Sequence, residues 1–274
     1  MEDKKAQIKE AIRQLHAGVP PEQVKENFRQ VLDGTASLEI AKIEEELAKE
    51  GMKREEIRKL CDVHMAIFKE QLKKQQTDLL PSQPISILME EHKIMLKMAE
   101  QLVVLANKVL KVGDMRYVTG EIHEVEHLAE DLTDSEKHYL REENVLFPYL
   151  EKHGVTEPPA VMWMEHNEIR ELKRKLHALV KDVDAAGFQN FKNQLWENAK
   201  TLSSLLQNHF YKENNVLFPA AMSVVTKQEW VGIRREFDEI GYCCFTPPEL
   251  ITIVPQTEMV QAHQATEGKL QFDT

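Results

Sequence analysis

A stretch of eleven residues occurs twice in the chain, and it constrains the fold more than any other feature. The first copy, HYLREENVLFP, begins at His138, and the second, HFYKENNVLFP, begins at His209. In each copy the histidine is followed four residues on by a glutamate, Glu142 in the first and Glu213 in the second. Residues four apart lie on one face of an α-helix, so each pair can act on a common target. The repetition indicates two related helical units.

A shorter repeat precedes each copy and completes the unit. Met-Glu-Glu-His ends at His92, and Met-Glu-His ends at His166, so the two short motifs are separated by nearly the same interval as the two long ones. Gly113 follows the first of these segments and Gly187 follows the second, and glycine commonly ends a helix. Each half is therefore predicted to be a helical hairpin with one histidine on its first helix and His-x-x-x-Glu on its second.

The pattern of apolar residues, glycines and prolines predicts mostly long helices. They run over about 85–112, 115–152, 158–187 and 188–222, with a shorter helix over about 227–240. Short connections between long helices favour an up-down-up-down four-helix bundle. Few glycines (10 of 274) and few aromatic residues (7%) are present for the turns and strands of an all-β fold. The predicted fold class is therefore all-α.

The spacing from the turns brings the repeated histidines to one depth in this bundle. The first histidine lies equally far before the turn glycine in both hairpins, and the second histidine lies nearly as far after it. Antiparallel helices that rise ~1.5 Å per residue then align these groups. The alternative, unrelated polar residues, would require two hairpins to reach this level by coincidence and would bury charge at a high cost.

Four imidazoles and two carboxylates at one level predict a metal site. Nitrogen and oxygen donors without thiolate suit iron, manganese or zinc. One carboxylate from each hairpin, each able to bridge, favours two metal ions over one. The predicted ligands are His92, His138, Glu142, His166, His209 and Glu213.

Two acidic residues near the ligands are candidates for supporting them. Asp134 lies one helical turn before His138, and Glu165 adjoins His166. Either could hydrogen-bond a ligand or relay a proton near the metals. The alternative interpretation is that both are surface acids.

Two other motifs carry chemistry in some proteins. The string from His123 to His127 matches the zinc-protease pattern H-E-x-x-H, but its second histidine precedes His138 by ~16 Å along the helix. We interpret it as a solvated helix face. The adjacent Cys243 and Cys244 could be redox-active, although an inert pair in a flexible tail is the favoured interpretation.

Pro81 and Pro84 interrupt the helical pattern and predict a domain boundary. The predicted domains are residues 1–80, a small helical domain, residues 84–222, the bundle, and residues 223–274, a short helix with a linker-like tail. The net charge of −11 speaks against a general nucleic-acid partner. Neither a signal peptide nor a membrane span is predicted, and three cysteines make no disulfide framework, so the expected location is the cytoplasm.

At the six predicted ligands, and over about residues 84–222, the sequence resembles the haemerythrin-like HHE cation-binding family. The resemblance implies an oxo- or hydroxo-bridged pair of iron ions, with zinc or manganese less favoured, in which Glu142 and Glu213 bridge and two histidines serve each iron. Oxygen-carrying members have a further histidine where this chain has Arg170, and they end with His-x-x-x-x-Asp. Six ligands instead of seven leave more coordination positions open, which argues against reversible oxygen carriage.

The segments outside the bundle resemble other modules. LHAGVPPEQVKENFRQVL, in the predicted N-terminal domain, is similar to an uncharacterised helical domain that precedes haemerythrin-like domains in bacteria and archaea. The final residues, EGKLQFDT, resemble the stretch that leads into a PAS sensor domain in many such proteins.

Together the resemblances imply a di-iron protein that senses or binds oxygen, nitric oxide or peroxide. A protein partner contacting the N-terminal domain is a further expectation. Two alternatives stay open: a di-iron enzyme for iron-sulfur centre repair or peroxide turnover, and a store for iron or zinc.

Overall fold

The computed structural model describes residues 37–53, 83–181, 183 and 187–248, together with part of the stretch between residues 6 and 27. Its helices are α1 (Ser37–Lys49), α2 (Pro84–Leu110), α3 (Thr119–Asp134), α4 (Glu136–Arg141), α5 (Phe147–Lys152), α6 (Glu157–Lys181), α7 (Phe188–Lys212), α8 (Phe218–Val224) and α9 (Lys227–Ile240). A 3₁₀ turn (Met115–Tyr117) precedes α3, and π-helical turns (Glu142–Leu146 and Glu213–Leu217) follow α4 and α7. The described residues contain no strand, which confirms the all-α prediction.

Helices α2, α3, α6 and α7 form a closed four-helix ring. Helix α2 packs on α3 and α7, and α6 packs on the same two neighbours. Short connections reverse the chain direction between successive arms, as expected for an up-down bundle. The predicted four-helix bundle is therefore confirmed.

The second arm differs from the single helix predicted over residues 115–152. Helix α3 ends at Asp134 and α4 begins at Glu136. Between them, the hydroxyl of Ser135 donates a hydrogen bond to the carbonyl of Leu132 at 2.7 Å. A serine that bonds back to the backbone competes with the regular helical pattern. After the interruption the N–H of His138 donates to the carbonyl of Ser135, three residues back, at 3.1 Å.

Both copies of the eleven-residue repeat end in a widened helical turn. Pro148 and Pro219 lack a backbone N–H, and a proline ring clashes with the carbonyl four residues earlier in a regular helix. Here the N–H of the preceding phenylalanine instead donates to the carbonyl five residues back, Glu142 in one copy and Glu213 in the other. The prolines of the repeat thus place a π-helical turn at each glutamate, a feature common at functional sites.

Two apolar clusters fill the bundle, and a polar layer separates them. One cluster includes Met95 and Phe210, and the other includes Leu88 and Phe218. His92, Glu142, His166 and Glu213 each lie in sequence between a residue of one cluster and a residue of the other, whereas His138 and His209 directly precede residues of the first cluster. The ligands are therefore held at one level by packing above and below.

Helix α1 packs on the metal-site end of the bundle, against α6, α8 and the second π-helical turn. The buried carboxylate of Glu45 accepts hydrogen bonds from the backbone N–H groups of Thr156 and Glu157 and from the Thr156 hydroxyl. It thereby caps the N-terminus of α6, whose first N–H groups have no partner within the helix.

Helix α9 packs against α2 and α4. The predicted domain boundaries stay predictions, because residues 54–82 and 249–274 lie outside the described part of the chain. Among the described helices, none is both long and apolar enough to cross a membrane.

Lys173 on α6 is buried behind the polar layer. Its ammonium group donates to the hydroxyl of Ser135 at 2.6 Å and to that of Tyr139 at 3.1 Å. Burial lowers the pKa of Lys173 to about 7, despite the charge of Glu136, which raises it. The amine is therefore partly neutral near pH 7.

This lysine predicts a stability that rises with pH. Because the pKa of Lys173 is about 7 in the folded protein and 10.5 ordinarily, the unfolded chain holds one more proton between those values. The free energy of unfolding should gain up to about 1.4 kcal/mol per pH unit over that window and lose it again as the pH falls to 7.

Urea unfolding of the wild type and of Lys173→Met across this window measures the slope. The variant should lack this contribution, while Lys175→Met, at an exposed lysine of the same helix, should retain it. Equal slopes for the wild type and Lys173→Met would contradict the prediction.

Candidate metal centre

The structure brings all six predicted ligands together in the polar layer. Each of these side chains is at most 1% exposed. Their donor atoms form two sets, each with all atoms within 4.8 Å of one another. One set is His92, His138, Glu142 and Glu213, and the other is Glu142, His166, His209 and Glu213. The two carboxylates belong to both sets, so the arrangement can hold two cations side by side.

In the first set, the histidine Nε2 atoms face the shared carboxylates. His92 Nε2 lies 3.1 Å from Glu213 Oε2, and His138 Nε2 lies 3.5 Å from Glu142 Oε2. The two Nε2 atoms are themselves 3.2 Å apart. Donor atoms that crowd one point in this way are suited to share an ion.

The second set repeats this arrangement. His166 Nε2 lies 3.3 Å from Glu142 Oε2 and 3.5 Å from Glu213 Oε1, and His209 Nε2 lies 2.8 Å from Glu213 Oε1. Glu213 therefore turns one oxygen to each set, which is the geometry of a bridging carboxylate.

The other ring nitrogen of each histidine is held by a second residue. His138 Nδ1 lies 2.8 Å from Glu91 Oε2, and His209 Nδ1 lies 2.9 Å from Glu165 Oε2. Such partners fix the ring orientation and the tautomer, and they leave Nε2 free to bind a metal. Because Glu91 precedes His92 as Glu165 precedes His166, the shorter repeat contained the signal for Glu91, which the sequence interpretation missed.

A cation anchors each of these two glutamates. Arg141 donates to Glu91 at 2.6 Å, and Lys212 donates to Glu165. Burial alone would raise the pKa of Glu91, but the hydrogen bond with His138 and the charge of Arg141 outweigh it and lower this pKa to about 2. The pKa of Glu165 is lowered, against burial, by His209 and Lys212 in the same way.

The residues that follow the shared glutamates hold the two remaining histidines. His166 Nδ1 lies 2.7 Å from Glu143 Oε1, and His92 Nδ1 lies 3.0 Å from Asn214 Oδ1. The π-helical turns let consecutive residues face the site. Arg170 donates to Glu143 at 2.8 Å. The two halves therefore differ, since one holds its histidine with a carboxylate and the other with an amide.

The structure corrects the role predicted for Asp134. Its side chain is exposed at the end of α3, and Glu91 from a different helix holds His138 instead. The reason is the break at Ser135, because Asp134 and His138 no longer belong to one regular helix. Glu165 does contact a predicted ligand, but that ligand is His209 rather than its neighbour His166.

The H-E-x-x-H string lies on an exposed face. The side chains of His123 and His127 are 68% and 61% exposed, and their Nε2 atoms lie 3.1 Å apart. Within the described part of the chain, neither belongs to a group of three or more metal-binding side chains.

The buried donors of the site fit a positively charged group. All four carboxylate oxygens of Glu142 and Glu213, and the Nε2 atoms of His166 and His209, are buried without a partner in hydrogen-bonding geometry. His209 Nε2 and Glu213 Oε1 are close enough for a hydrogen bond but lack the required angles. Unsatisfied buried carboxylates are costly. Metal cations at the two sets would satisfy these atoms.

Without metal, the site holds protons where the cations would lie. Burial and the charge of Glu213 raise the pKa of Glu142 to about 8. Burial would lower the pKa of His166, but its contacts with Glu142, Glu143 and Glu213 raise it to about 10. At pH 7 both groups are therefore protonated, and a metal ion must displace these protons.

Metal binding is accordingly expected to release up to about two protons per chain at pH 7, and the apparent affinity should rise with pH. Titrating zinc into metal-free protein in weak buffer, with a pH indicator, measures the release. Glu142→Gln, at a zinc concentration that loads it fully, should release about one proton fewer per chain. Binding without proton release, or with an affinity that is independent of pH between 6 and 8, would contradict the expectation.

Two known protein families match two separate parts of the chain. The family model of the Hemerythrin HHE cation binding domain matches residues 83–221, which include all six donors. A family of unknown function (DUF438) matches residues 8–74. No curated protein matches the chain. The resemblances stated for the bundle and for the N-terminal domain are thus confirmed, and the resemblance of the final residues to a stretch before a PAS domain stays a prediction.

Proposed function

The chain belongs to the haemerythrin HHE cation-binding family, and from that premise we propose that its polar layer holds a pair of iron ions that bind a small molecule. The match indicates cation binding, and the number and identity of the ions are our proposal. The observation that carries it is the sharing of Glu142 and Glu213 between two sets of histidines. A single ion would leave the Nε2 atoms of one pair of histidines without a metal to bind.

The proposed ligand set leaves coordination positions open. Each ion would receive two imidazole nitrogens and the two shared carboxylates. Arg170 adds no donor, because its guanidinium group donates to Glu143 and Glu136 beside the site. When bound, iron would supply open positions and a change of oxidation state, as in other non-haem sites with histidine and carboxylate ligands.

The surrounding side chains favour a small, uncharged ligand. The ring of Phe210 stacks on His92 with centroids 4.1 Å apart, and the ring of Phe147 stacks on His166 at 5.8 Å. Tyr139 packs beside His166 with centroids 4.6 Å apart. These rings exclude bulk water and leave little room beside the donors. Oxygen, nitric oxide and peroxide are of suitable size and charge.

The placement of the site supports a sensing role, which we propose for the cytoplasm. The six donors come from all four arms of the bundle, so a change at the site alters the packing of every arm. Helix α1 touches the π-helical turn that begins with Glu213, and Glu45 caps α6. The N-terminal domain is therefore in position to respond, provided that the bound ligand favours one packing over another.

Spectroscopy of the iron-loaded full chain tests this proposal. Oxygen, nitric oxide and peroxide are added in turn while near-ultraviolet absorption and the proteolysis of residues 1–80 are followed. One ligand should alter both signals, and Glu45→Gln should weaken only the proteolytic response. If the protein instead takes up zinc in preference to iron and shows no near-ultraviolet absorption bands, the storage function is favoured. The alternative of a di-iron enzyme would be favoured if the protein turns over peroxide many times, or reactivates a damaged iron-sulfur enzyme, while the proteolysis of residues 1–80 stays unchanged.

A further inference from the structure

The adjacent cysteines lie in a turn that packs against the bundle. Cys243 is 2% exposed, whereas Cys244 is exposed. The backbone of Cys244 has a φ of 67°, and it is the one non-glycine residue with positive φ among those that the structure describes. Such a conformation is uncommon for a residue with a side chain. The turn is closed by a hydrogen bond from Phe245 N–H to the Cys243 carbonyl at 2.6 Å.

This cysteine turn contacts the support of the metal centre. The backbone N–H of Cys243 donates to Glu91 Oε1 at 3.4 Å, a long hydrogen bond. The other oxygen of Glu91 holds His138. The ring of the preceding residue, Tyr242, lies 4.8 Å from the guanidinium carbon of Arg141. The turn is thus one residue removed from a predicted metal ligand.

The two thiols have different environments. A hydrogen bond with Cys243 lowers the pKa of Cys244, and the charges of Lys173 and Arg141 lower it further, against burial and Glu91. The same hydrogen bond and burial raise the pKa of Cys243. An exposed thiol that ionises readily, next to a second thiol, is the arrangement found in cysteines that react with peroxide.

We propose that Cys243 and Cys244 are a redox site that hydrogen peroxide oxidises to a disulfide and that a thiol reductant converts back to two thiols. The Cys244 thiolate attacks one peroxide oxygen, the O–O bond breaks, and the departing hydroxide takes up a proton to form water. The sulfur of Cys243, as its proton is lost, then attacks the resulting sulfenic acid. The S–S bond forms, the S–O bond breaks, and a second water leaves. Two electrons pass from the two sulfurs to the peroxide.

The geometry makes this disulfide a reversible link rather than a structural one. Neighbouring Cα atoms are about 3.8 Å apart across a trans peptide, whereas most disulfides join Cα atoms about 4.4 to 6.8 Å apart. A bond between adjacent cysteines is therefore strained, and strained disulfides are reduced easily.

Oxidation also has a consequence for the metal centre, and this step rests on the proposed function. Closing the ring between the two cysteines constrains the peptide that joins them and the backbone angles of Cys243, whose own N–H donates to Glu91. Glu91 then loses or changes that hydrogen bond, and through Glu91 the orientation of His138 changes. Oxidation of the two cysteines by peroxide would thus change how His138 is held at the di-iron site.

The dithiol is tested on the metal-free full chain. Treatment with hydrogen peroxide should lower the free thiols from the three of the sequence to one, and dithiothreitol should restore them. Mass spectrometry should find that the peptide with both cysteines has lost two hydrogens. If that peptide remains reduced while peroxide is consumed, or is oxidised only beyond the disulfide to sulfinic acid, the proposal is wrong.

Three variants identify the roles of the thiols. Cys243→Ser should stop at a sulfenic acid on Cys244 that dimedone traps, and Cys244→Ser should react at least about tenfold more slowly. Cys61→Ser, at a residue outside the described part, should still lose two thiols. Loss of the reaction in Cys61→Ser would overturn the assignment. The wild-type peptide mass decides the matter even where Cys243→Ser fails to fold.

The coupling is tested separately on iron-loaded protein. Diamide, which forms disulfides without adding oxygen, should change the absorption bands of the wild type but not of Cys244→Ser. An unchanged wild-type spectrum after the peptide is oxidised would refute the coupling alone. Failure to load iron would refute the proposed function and leave the dithiol unaffected.

Discussion

Glu213→Ala is expected to remove both metal ions, whereas His138→Ala is expected to remove one. The oxygens of Glu213 face the histidines of both sets, while His138 belongs to a single set. Loss of a shared carboxylate should weaken binding at each position by several kcal/mol, or about a thousandfold. His138→Ala and His209→Ala together should again leave none.

Elemental analysis after equilibration with ferrous iron gives the metal content of each variant. Glu151→Ala, at an exposed residue of α5, is the control and should keep about two ions per chain. Circular dichroism shows whether each variant keeps its helices, and Glu213→Gln serves where the alanine variant does not fold. Retention of one ion by Glu213→Ala, or of one by the double histidine variant, would contradict two ions with shared carboxylates.

Removal of the metal ions is expected to lower the free energy of unfolding by about 4 kcal/mol or more. The four buried oxygens of Glu142 and Glu213 have no partner in hydrogen-bonding geometry, and removal of the ions would leave them in that state. Binding to the folded state alone stabilises it by about 4 kcal/mol when the free metal exceeds its dissociation constant a thousandfold. Urea unfolding with metal and with a chelator measures this difference.

Glu142→Met is expected to change the free energy of unfolding in opposite directions without and with metal, relative to the wild type. Without metal the variant should be about 1 to 3 kcal/mol more stable than the wild type, because an apolar side chain of similar volume replaces a buried carboxyl that has no partner in hydrogen-bonding geometry. With metal it should be less stable, because it lacks a shared ligand. Glu151→Met should follow the wild type in both conditions. A wild-type curve that the chelator leaves unchanged would mean that the buried carboxylates need no ion.

The clustering of the six candidate ligands could be predicted from the sequence because their positions follow from local periodicity. His138 and Glu142 share a helix face through a spacing of four residues, and the turn glycines set the depth of each histidine. Packing preserves that alignment, since the layer that holds these groups lies between the two apolar clusters. The repeat supplied a second, independent copy of the same arrangement.

The supporting residues could be predicted only in part. Asp134 was expected at His138 because a continuous helix would place it there, but Ser135 interrupts the helix. The helices over about 115–152 and 188–222 were predicted to be continuous, but the prolines of the repeat introduce π-helical turns that turn Glu143 and Asn214 toward the site. These outcomes depend on backbone hydrogen bonds that periodicity does not specify.

The sequence by itself determined the helical class, the duplicated hairpin and the six donors, because spacing along a helix dictates which side chains share a face. Only the tertiary structure decided that Glu91 rather than Asp134 holds His138, and that Cys243 touches Glu91. These partners lie 47 and 152 residues apart. Contacts over such separations arise when several helices pack simultaneously, and no local pattern encodes that geometry.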